Sequence, residues 1–266
     1  MPKPQRIRGL SESVALAEAA RRILAGRLSD VTRWEEGLPA LEPTHAMRVA
    51  ARRLRQALSL FGLDELDRPV KALQDALGDL RDLQLQADWL SHRDRALQRQ
   101  RSRLVPKAER KLQAELRAFR SKTVPALLKA TQKLSASGKL GGHRMREKLK
   151  KRIDAFDDRL AVALKSPKPR PMHRLRIAAK KLRYSCELLE SAFDEARDLL
   201  VELSPLQQLL GDLHDSDARV ALLREHGRNA LLREEQEARE KLAAVAMKEL
   251  ARWRSRKVSE KARRGL

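Results

Sequence analysis

The stretch HAMRVAARRLR at residues 45–55 is repeated as HRLRIAAKKLR at residues 173–183. Each charged position after the histidine of the first copy is again cationic in the second. On a helical wheel at about 100° per residue, the histidine and three cations fall on one side and the apolar residues on the other. Each copy is therefore predicted to form an amphipathic helix with one apolar and one cationic stripe. The cationic stripes are His45, Arg48, Arg52 and Arg55 in the first copy and His173, Arg176, Lys180 and Arg183 in the second.

A second pair of related stretches follows the two copies. Residues 73–82 read LQDALGDLRD and residues 206–215 read LQQLLGDLHD, so the patterns come in the same order in both halves. The long spacing between the two copies of each pattern favours a duplicated helical bundle over a solenoid of small repeats. The predicted fold class is all-α, with two four-helix bundles related by a pseudo-twofold axis through internal duplication.

The expected boundaries follow changes in composition. Residues 1–9 are predicted to be a basic N-terminal arm, residues 10–136 the first bundle repeat, residues 137–256 the second repeat and residues 257–266 a basic tail. The Ser- and Gly-rich residues 135–142 supply the linker between the repeats. The four parts together are expected to form one domain.

Prolines and capping residues set the expected helix ends. The first helix is predicted to run through Leu38, after which Pro39 and Pro43 interrupt the chain and Thr44 caps the first motif helix. Kinks, breaks or stiff loops are likewise expected at Pro106, Pro125, Pro167, Pro169 and Pro171.

The charge of the chain indicates its class of partner. The sequence has 58 Lys and Arg against 36 Asp and Glu, a net charge of +22, and an isoelectric point near 10.8. Such an excess indicates polyanions as partners: nucleic acid, an anionic membrane surface or a phosphate polymer. Aromatic residues make up only 3% of the chain, which disfavours proteins that stack single-stranded bases on aromatic rings.

Cysteine usage and hydropathy indicate a soluble cytoplasmic protein. Cys186 is the only cysteine and lies on the apolar stripe of the second motif, so no disulfide within the chain is expected. The N-terminus lacks the apolar core of a signal peptide, and nowhere do 18 consecutive apolar residues occur.

The cationic stripes contain no acidic residue in either copy. A solvated helix face ordinarily mixes charges of both signs, because like charges at i,i+4 destabilise the helix. A ligand that neutralises the stripe is the simplest compensation, and the repetition makes accident a poor explanation. Side chains one helical turn apart, about 5.4 Å, could follow an anionic polymer.

The two pattern pairs, in register, resemble the CHAD family, named for a conserved histidine α-helical domain, from about Leu10 to Trp253. The resemblance implies two helical bundles around a central basic channel, binding of inorganic polyphosphate and association with polyphosphate granules. Some relatives are fused to a triphosphatase domain for which this chain has no room, so no hydrolase activity and no catalytic residue is carried over. No cofactor and no membrane insertion are expected. Carried over by position, the polyphosphate-binding residues are His45, Arg48, Arg52, Arg53, Arg55, His173, Arg176, Lys180, Lys181 and Arg183.

Two other functions fit parts of the sequence. The charge alone equally permits a nucleic-acid-binding helical protein. The doublet of His214 and Asp215 resembles that of HD-type metal-dependent phosphohydrolases. Two observations disfavour a metal site. Arg81 occupies the position that matches His214 in the first half, and no further metal ligands lie at a recognisable spacing in the sequence.

The second pattern also carries structural expectations. Gly78 and Gly211 occupy mid-helix positions, where glycine costs about 1 kcal/mol relative to alanine, so a close helix approach is expected at both. The aspartates spaced at i,i+3 are expected to orient neighbouring Arg and Lys side chains. They are Asp79, Asp82, Asp212 and Asp215.

Overall fold

The computed structural model describes residues 3–266. Apart from an isolated bridge between Ala15 and Lys139, these residues contain no β-structure, and the all-α prediction is confirmed. The chain divides into two compact units. Unit 1 comprises the residues up to Leu10 together with Val14–Lys139, and unit 2 comprises Ser11–Ser13 together with Leu140–Leu266. The pseudo-twofold relation stays a prediction.

Unit 1 closes four long helical segments into a ring. Helix α2 packs on α1 and α3, α3 packs on α5, and α6 returns to α1. A π-helical segment, Phe119–Thr123, joins α5 and α6. The helices are α1 (Leu16–Thr32), α2 (Leu41–Phe61), α3 (Asp67–Leu90), α4 (Arg95–Ser102), α5 (Val105–Ala118) and α6 (Val124–Lys133).

Unit 2 closes its long helices in the same manner. Helix α8 packs on α7 and α9, α9 packs on α10, and α10 contacts α7. A short helix, α11, packs mainly on α9 and α7. The helices are α7 (His143–Lys165), α8 (Pro169–Leu189), α9 (Asp194–Glu225), α10 (Asn229–Ser255) and α11 (Val258–Gly265).

The apolar stripes of the two motif helices form part of the cores. In α2, Met47, Leu54 and Leu58 are fully buried, and Leu175 and Leu182 are fully buried in α8. Removing a Leu or Met side chain from water stabilises a fold by about 1.5–3 kcal/mol. The cationic stripe of each motif helix is thereby turned away from its own core.

Several prolines expected to break the chain or to stiffen a loop lie in the first turns of helices. Pro43 is within α2, which begins at Leu41, and Pro169 and Pro171 open α8. Proline is compatible with the first turn because the missing N–H has no intrahelical partner there. Thr44 is not an N-cap: it is buried inside α2, and its hydroxyl donates a hydrogen bond of 3.3 Å to the carbonyl of Pro39. Pro106 and Pro125 also occupy first turns, those of α5 and α6, and the breaks expected near them are present because a new helix begins at each.

The first helix also ends earlier than predicted. Helix α1 stops at Thr32, and a 3₁₀ turn over Glu35–Gly37 leads to the cis bond between Leu38 and Pro39. The residue before a proline is disfavoured in the α region, which explains why no helix reaches Leu38.

Both predicted tails are ordered by packing, where the structure describes them. The N-terminal segment contacts α1, since the amide of Gln5 donates to Asp30 and its carbonyl accepts from Arg27. Met1 and Pro2 of the predicted arm lie outside the described residues. The predicted basic tail is instead α11, where Ser259 accepts from the indole of Trp253 and donates to Asp157.

Within residues 3–266, no helix combines the length and the apolar character that crossing a membrane requires.

Candidate functional sites on the motif helices

The first cluster consists of His45, Arg48 and Arg52 on α2 with Arg81 and Asp82 on α3. His45 is half-buried, and the two α2 arginines follow it at about one and two helical turns. Burial, followed by the positive charges of Arg81, Arg52 and Arg48, lowers the pKa of His45 to about 4. The imidazole is therefore neutral at pH 7 and lies in a region of positive potential.

Arg48 lies flat against α3. Its guanidinium donates to Asp82 at 3.1 Å, which supports the prediction that this aspartate orients a neighbouring cation. A Cβ placed on Gly78 would stand 3.1–3.3 Å from the Arg48 guanidinium atoms. Gly78 therefore makes room for an arginine head group, not for the backbone of another helix.

Arg81 joins α3 to the start of α2. Its Nη1 donates to the carbonyl of Leu41 at 3.2 Å, and Gln84 donates to the carbonyl of Pro39 at 2.6 Å. Arg81 also exerts the largest charge effect on the pKa of His45. Sequence reasoning considered Arg81 only as the counterpart of His214 and missed it as a site residue.

The second cluster consists of His173, Arg176 and Lys180 on α8 with His214 and Asp215 on α9. The Nδ1 atoms of His173 and His214 are 3.3 Å apart, and their ring centroids are 4.9 Å apart. Burial, then the charges of Arg176 and Lys180, lower the pKa of His173 below its ordinary value. The motif histidine of each unit is thus surrounded by the cations of its own helix.

Asp215 is the counterpart of Asp82 and faces the second cluster. Burial raises the pKa of the Asp215 carboxyl above its ordinary value, while Arg176, Arg219 and Lys180 act against this rise. One partly desolvated carboxylate therefore serves several cations, and the second cluster keeps an excess of positive charge.

The other aspartate of each pair turns elsewhere. Asp79 accepts from Lys111 of α5 at 2.6 Å, and Asp212 accepts from Gln208 at 2.8 Å on its own helix. Asp79 thus pairs with a neighbouring lysine, whereas its partner Asp82 pairs with the motif arginine.

The last arginine of the first motif makes a structural ion pair. Arg55 donates to both carboxylate oxygens of Asp67, at 2.7 and 2.8 Å, and to Gln74 at 3.0 Å. A bidentate pair of this kind is among the stronger charged hydrogen-bonding arrangements. Arg55, which the sequence predicted as a ligand-binding residue, is therefore engaged between α2 and the start of α3.

Arg183 occupies the same position in the second motif and makes the corresponding contact. Its Nη1 donates to Gln207 at 2.5 Å, and its Nε lies 3.2 Å from Glu187. Gln207 and Gln74 hold the same position in the second pattern. The last cation of each motif thus joins the motif helix to the next helix.

The adjacent cations, Arg53 and Lys181, differ between the units. Arg53 is only 4% exposed, whereas Lys181 is exposed to solvent. Both lie about 100° around the helix from the preceding cation of the stripe, so neither continues the row that begins at the histidine. The structure does not bring these two predicted residues into the clusters.

The family model described as "CHAD domain" matches residues 22–224. The chain belongs to the CHAD family. The match covers both motif helices and both downstream patterns.

Two curated proteins and two solved structures are similar to this CHAD chain. It is 30% identical to the uncharacterized protein Rv2226 of Mycobacterium tuberculosis H37Rv and 29% identical to the uncharacterized protein MT2285 of strain CDC 1551. Each match covers 75% of this chain and 44% of the relative, so the chain spans less than half the length of these relatives. The CHAD domain of the plant Ricinus communis superposes with a TM-score of 0.67 at 25% identity, over 100% of this chain and 96% of that one. PptA from Streptomyces chartreusis shares the fold, with a TM-score of 0.53 and 17% sequence identity. The superposition covers 95% of this chain and 99% of PptA.

The His214-Asp215 doublet of this CHAD protein is not part of a metal-ligand cluster in the described residues. Among residues 3–266, no group of three or more His, Cys, Asp or Glu side chains is placed to hold a metal ion.

The two mid-helix glycines of the CHAD repeats differ in surroundings. A Cβ on Gly211 would meet nothing within 4 Å, so the close approach predicted at this position is wrong.

Gly211→Ala is expected to stabilise unit 2 by up to about 1 kcal/mol, the helix preference of alanine over glycine. Gly78→Ala is expected to stabilise unit 1 less than this, or to destabilise it, because the added methyl group displaces Arg48 from Asp82. Urea unfolding of both variants followed by circular dichroism measures the difference, and equal gains at both positions would contradict this role of Gly78.

Proposed function

We propose that this CHAD protein binds inorganic polyphosphate, without catalysing its conversion, through the first and second clusters. One observation carries the proposal: in each unit the motif histidine lies among cations of its own helix, which lower its pKa together with burial. A row of like charges that costs stability in the free protein is explained by an anionic ligand that neutralises it.

The side chains match the chemistry of a phosphate chain. Arg48 and Arg52 are about one helical turn apart on α2, as are Arg176 and Lys180 on α8. Guanidinium groups present a planar fork to phosphate oxygens, and lysine presents a point charge. A neutral imidazole donates one hydrogen bond, and it donates two once it is protonated.

Family membership supports the same ligand, because the CHAD resemblance implies polyphosphate binding. The positions carried over from the family pattern that lie in the clusters are His45, Arg48, Arg52, His173, Arg176 and Lys180. Association with polyphosphate granules in the cytoplasm belongs to the same proposal.

Binding without turnover follows from the composition of the clusters. Catalysis of phosphoryl transfer requires a positioned nucleophile or water with a base, and charge stabilisation by metal or arginine. The clusters supply arginines and carry imidazole and carboxylate groups such as His214 and Asp215, but among residues 3–266 no group of three or more His, Cys, Asp or Glu is placed to hold a metal ion beside them. We expect no phosphate release from polyphosphate or nucleotides by the pure protein, and release that Asp215→Ala abolishes would revive the metal-dependent alternative.

The test is a titration of long-chain polyphosphate and duplex DNA at matched salt. Removing one cation per unit, Arg52→Ala with Lys180→Ala, is expected to weaken polyphosphate binding by at least about tenfold, since hydrogen bonds to charged groups contribute about 1.5–3 kcal/mol each. The control removes two exposed cations outside the clusters, Lys107→Ala with Arg233→Ala, and is expected to change affinity far less.

The comparison of variants also separates specific from general charge effects. Equal losses in the cluster variant and the control would mean that net charge alone drives binding. Tighter binding of DNA than of polyphosphate at matched salt would replace this proposal with nucleic-acid binding.

A further inference from the structure

The two clusters differ at one position of the second pattern. Arg81 stands in unit 1 where His214 stands in unit 2, each next to Asp82 or Asp215 and each close to the motif histidine. Guanidinium is charged at every physiological pH, whereas imidazole gains or loses its charge between pH 5 and 8. The same site is thus built once with a permanent charge and once with a titratable group.

The contact between His173 and His214 limits the protons that the pair can hold. At 3.3 Å between the two Nδ1 atoms, a hydrogen bond requires one protonated and one unprotonated nitrogen. One additional proton, on a remote Nε2 atom, leaves this hydrogen bond intact and converts it into a charge-assisted one. A proton on both Nδ1 atoms would place two N–H groups against each other. The pair is therefore suited to the uptake of one proton.

The charges around the pair are mostly positive. Asp217, which raises the proton affinity of His173, is itself paired with Arg239 of α10 at 2.8 Å. Arg219 lies 3.3 Å from Glu235 of α10. Helix α11 contacts α9, and Arg256, which lies between α10 and α11, pairs with Glu202 of α9. The charged groups that act on the pair or on its neighbour Asp215 are Arg176 and Lys180 of α8 and Asp212, Asp217 and Arg219 of α9.

We propose that His214 makes the binding of a phosphate chain by the second cluster dependent on proton uptake, while Arg81 at the same position makes the first cluster insensitive to pH. The inference rests on the proposed function and adds regulation by pH to it. Through this one position, acidification strengthens the second cluster alone.

The sign follows from the charges. A phosphate chain on Arg176 and Lys180 cancels the positive potential that opposes protonation of His173, so the bound pair holds a proton more readily than the free pair. Affinity then rises as pH falls below the bound-state pKa of the pair and levels off below its free-state pKa. For one proton the slope approaches about tenfold per pH unit. In unit 1, burial and then Arg81, Arg52 and Arg48 lower the pKa of His45 to about 4 in the free protein, so its titration begins well below that interval.

The repeat supplies matched variants for the experiment. Polyphosphate affinity is measured between pH 8 and pH 5.5 for wild type, His214→Arg, His214→Gln and Arg81→His, with EDTA present to exclude metal bridging between imidazoles. Proton uptake on binding is measured by calorimetry in buffers of different ionisation enthalpy. The ligand's own titration is common to all variants and cancels in the comparison.

We expect opposite results from the substitutions. His214→Arg should bind polyphosphate at pH 8 about as tightly as wild type does at low pH, and fewer protons should be taken up on binding. His214→Gln should lose the increase in affinity on acidification without this gain. Arg81→His should weaken binding at pH 8 and steepen the pH dependence. Circular dichroism and thermal unfolding check that each variant is folded.

The failures of the inference and of the function are distinguishable. If wild type binds polyphosphate and its pH slope equals those of His214→Arg and His214→Gln, the role of His214 is wrong while the function stands. If no form binds polyphosphate at any pH, the proposed function itself is wrong.

Discussion

Replacing Asp30 by alanine is expected to destabilise unit 1 by about 3–5 kcal/mol, the usual cost of removing one partner of a buried ion pair. Asp30 and Arg27 are 1% and 5% exposed, and their side chains are 2.8 Å apart. Asp30 also accepts from the amide of Gln5 and lies 3.4 Å from Arg33. Without the carboxylate, a buried guanidinium lacks its counter-charge and the N-terminal segment loses a contact with α1.

Two further variants test whether the cost comes from the unpaired charge. Replacing both partners, Arg27→Met with Asp30→Leu, is expected to recover much of the stability, because apolar side chains of similar volume often substitute for a buried ion pair. On the same helix, Glu18→Ala breaks solvent-exposed pairs with Arg21 and Arg22 and should have little effect. Urea unfolding by circular dichroism, with hydrogen exchange of the α1 amides, gives the measurements. A loss for Asp30→Ala as small as that of Glu18→Ala would show that the pair is not important for stability.

The sequence predicts the helices well where a single helix carries the whole signal. The wheel of α8 separates Leu175 and Leu182 from Arg176 and Lys180, and the structure buries the first two. This separation follows from helix periodicity alone, so it does not depend on the neighbouring helices.

Helix ends were predicted less well because proline has two opposite meanings. In the first turn it is compatible with the helix, and farther inside it disrupts the hydrogen bonds. The sequence predicts a break at Pro43 and a stiff loop at Pro169, and both residues belong to first turns. Helix α11 was predicted as a tail because its basic composition suggests a solvated segment. Its order comes from tertiary contacts such as those of Arg263 with Asp154 and Asp157.

The composition of the clusters required tertiary information as well. Arg55 and Arg183 lie on the cationic stripes, yet their partners Asp67, Gln74 and Gln207 come from the following helices. Arg81 belongs to the first cluster although it lies on α3 and the motif residues lie on α2. The repeat held the available signal, since Gln74 matches Gln207 and Arg81 matches His214 in the second pattern. Matched positions identify related surroundings, but they do not reveal which side chains touch.

The largest effect on ligand binding is expected when both clusters lose their helix cations together. By analogy with DNA, each phosphate neutralised by a cation contributes about 0.9 to the slope of log affinity against log salt. Changing Arg48, Arg52, Arg176 and Lys180 to glutamine should therefore flatten that slope by about 3–4 and lower the affinity at low salt by several orders of magnitude. The apolar stripes are untouched, and relief of like-charge repulsion should leave the fold intact.

The matched comparison uses the last arginines of the motifs. Arg55→Gln with Arg183→Gln also removes cations from the stripes, but these two guanidinium groups are engaged with Asp67, Gln74, Gln207 and Glu187. Their loss should reduce the stability of both units and change the salt slope little, because they neutralise protein groups and not phosphates. Titrations of long-chain polyphosphate at several salt concentrations, each paired with a urea unfolding curve, measure both quantities. Slopes that fall in proportion to the number of cations removed, whichever positions are changed, would contradict the division into binding and structural cations. A distinct effect at the histidine-centred positions would show that the polymer is bound by the geometry of the clusters as well as by net charge.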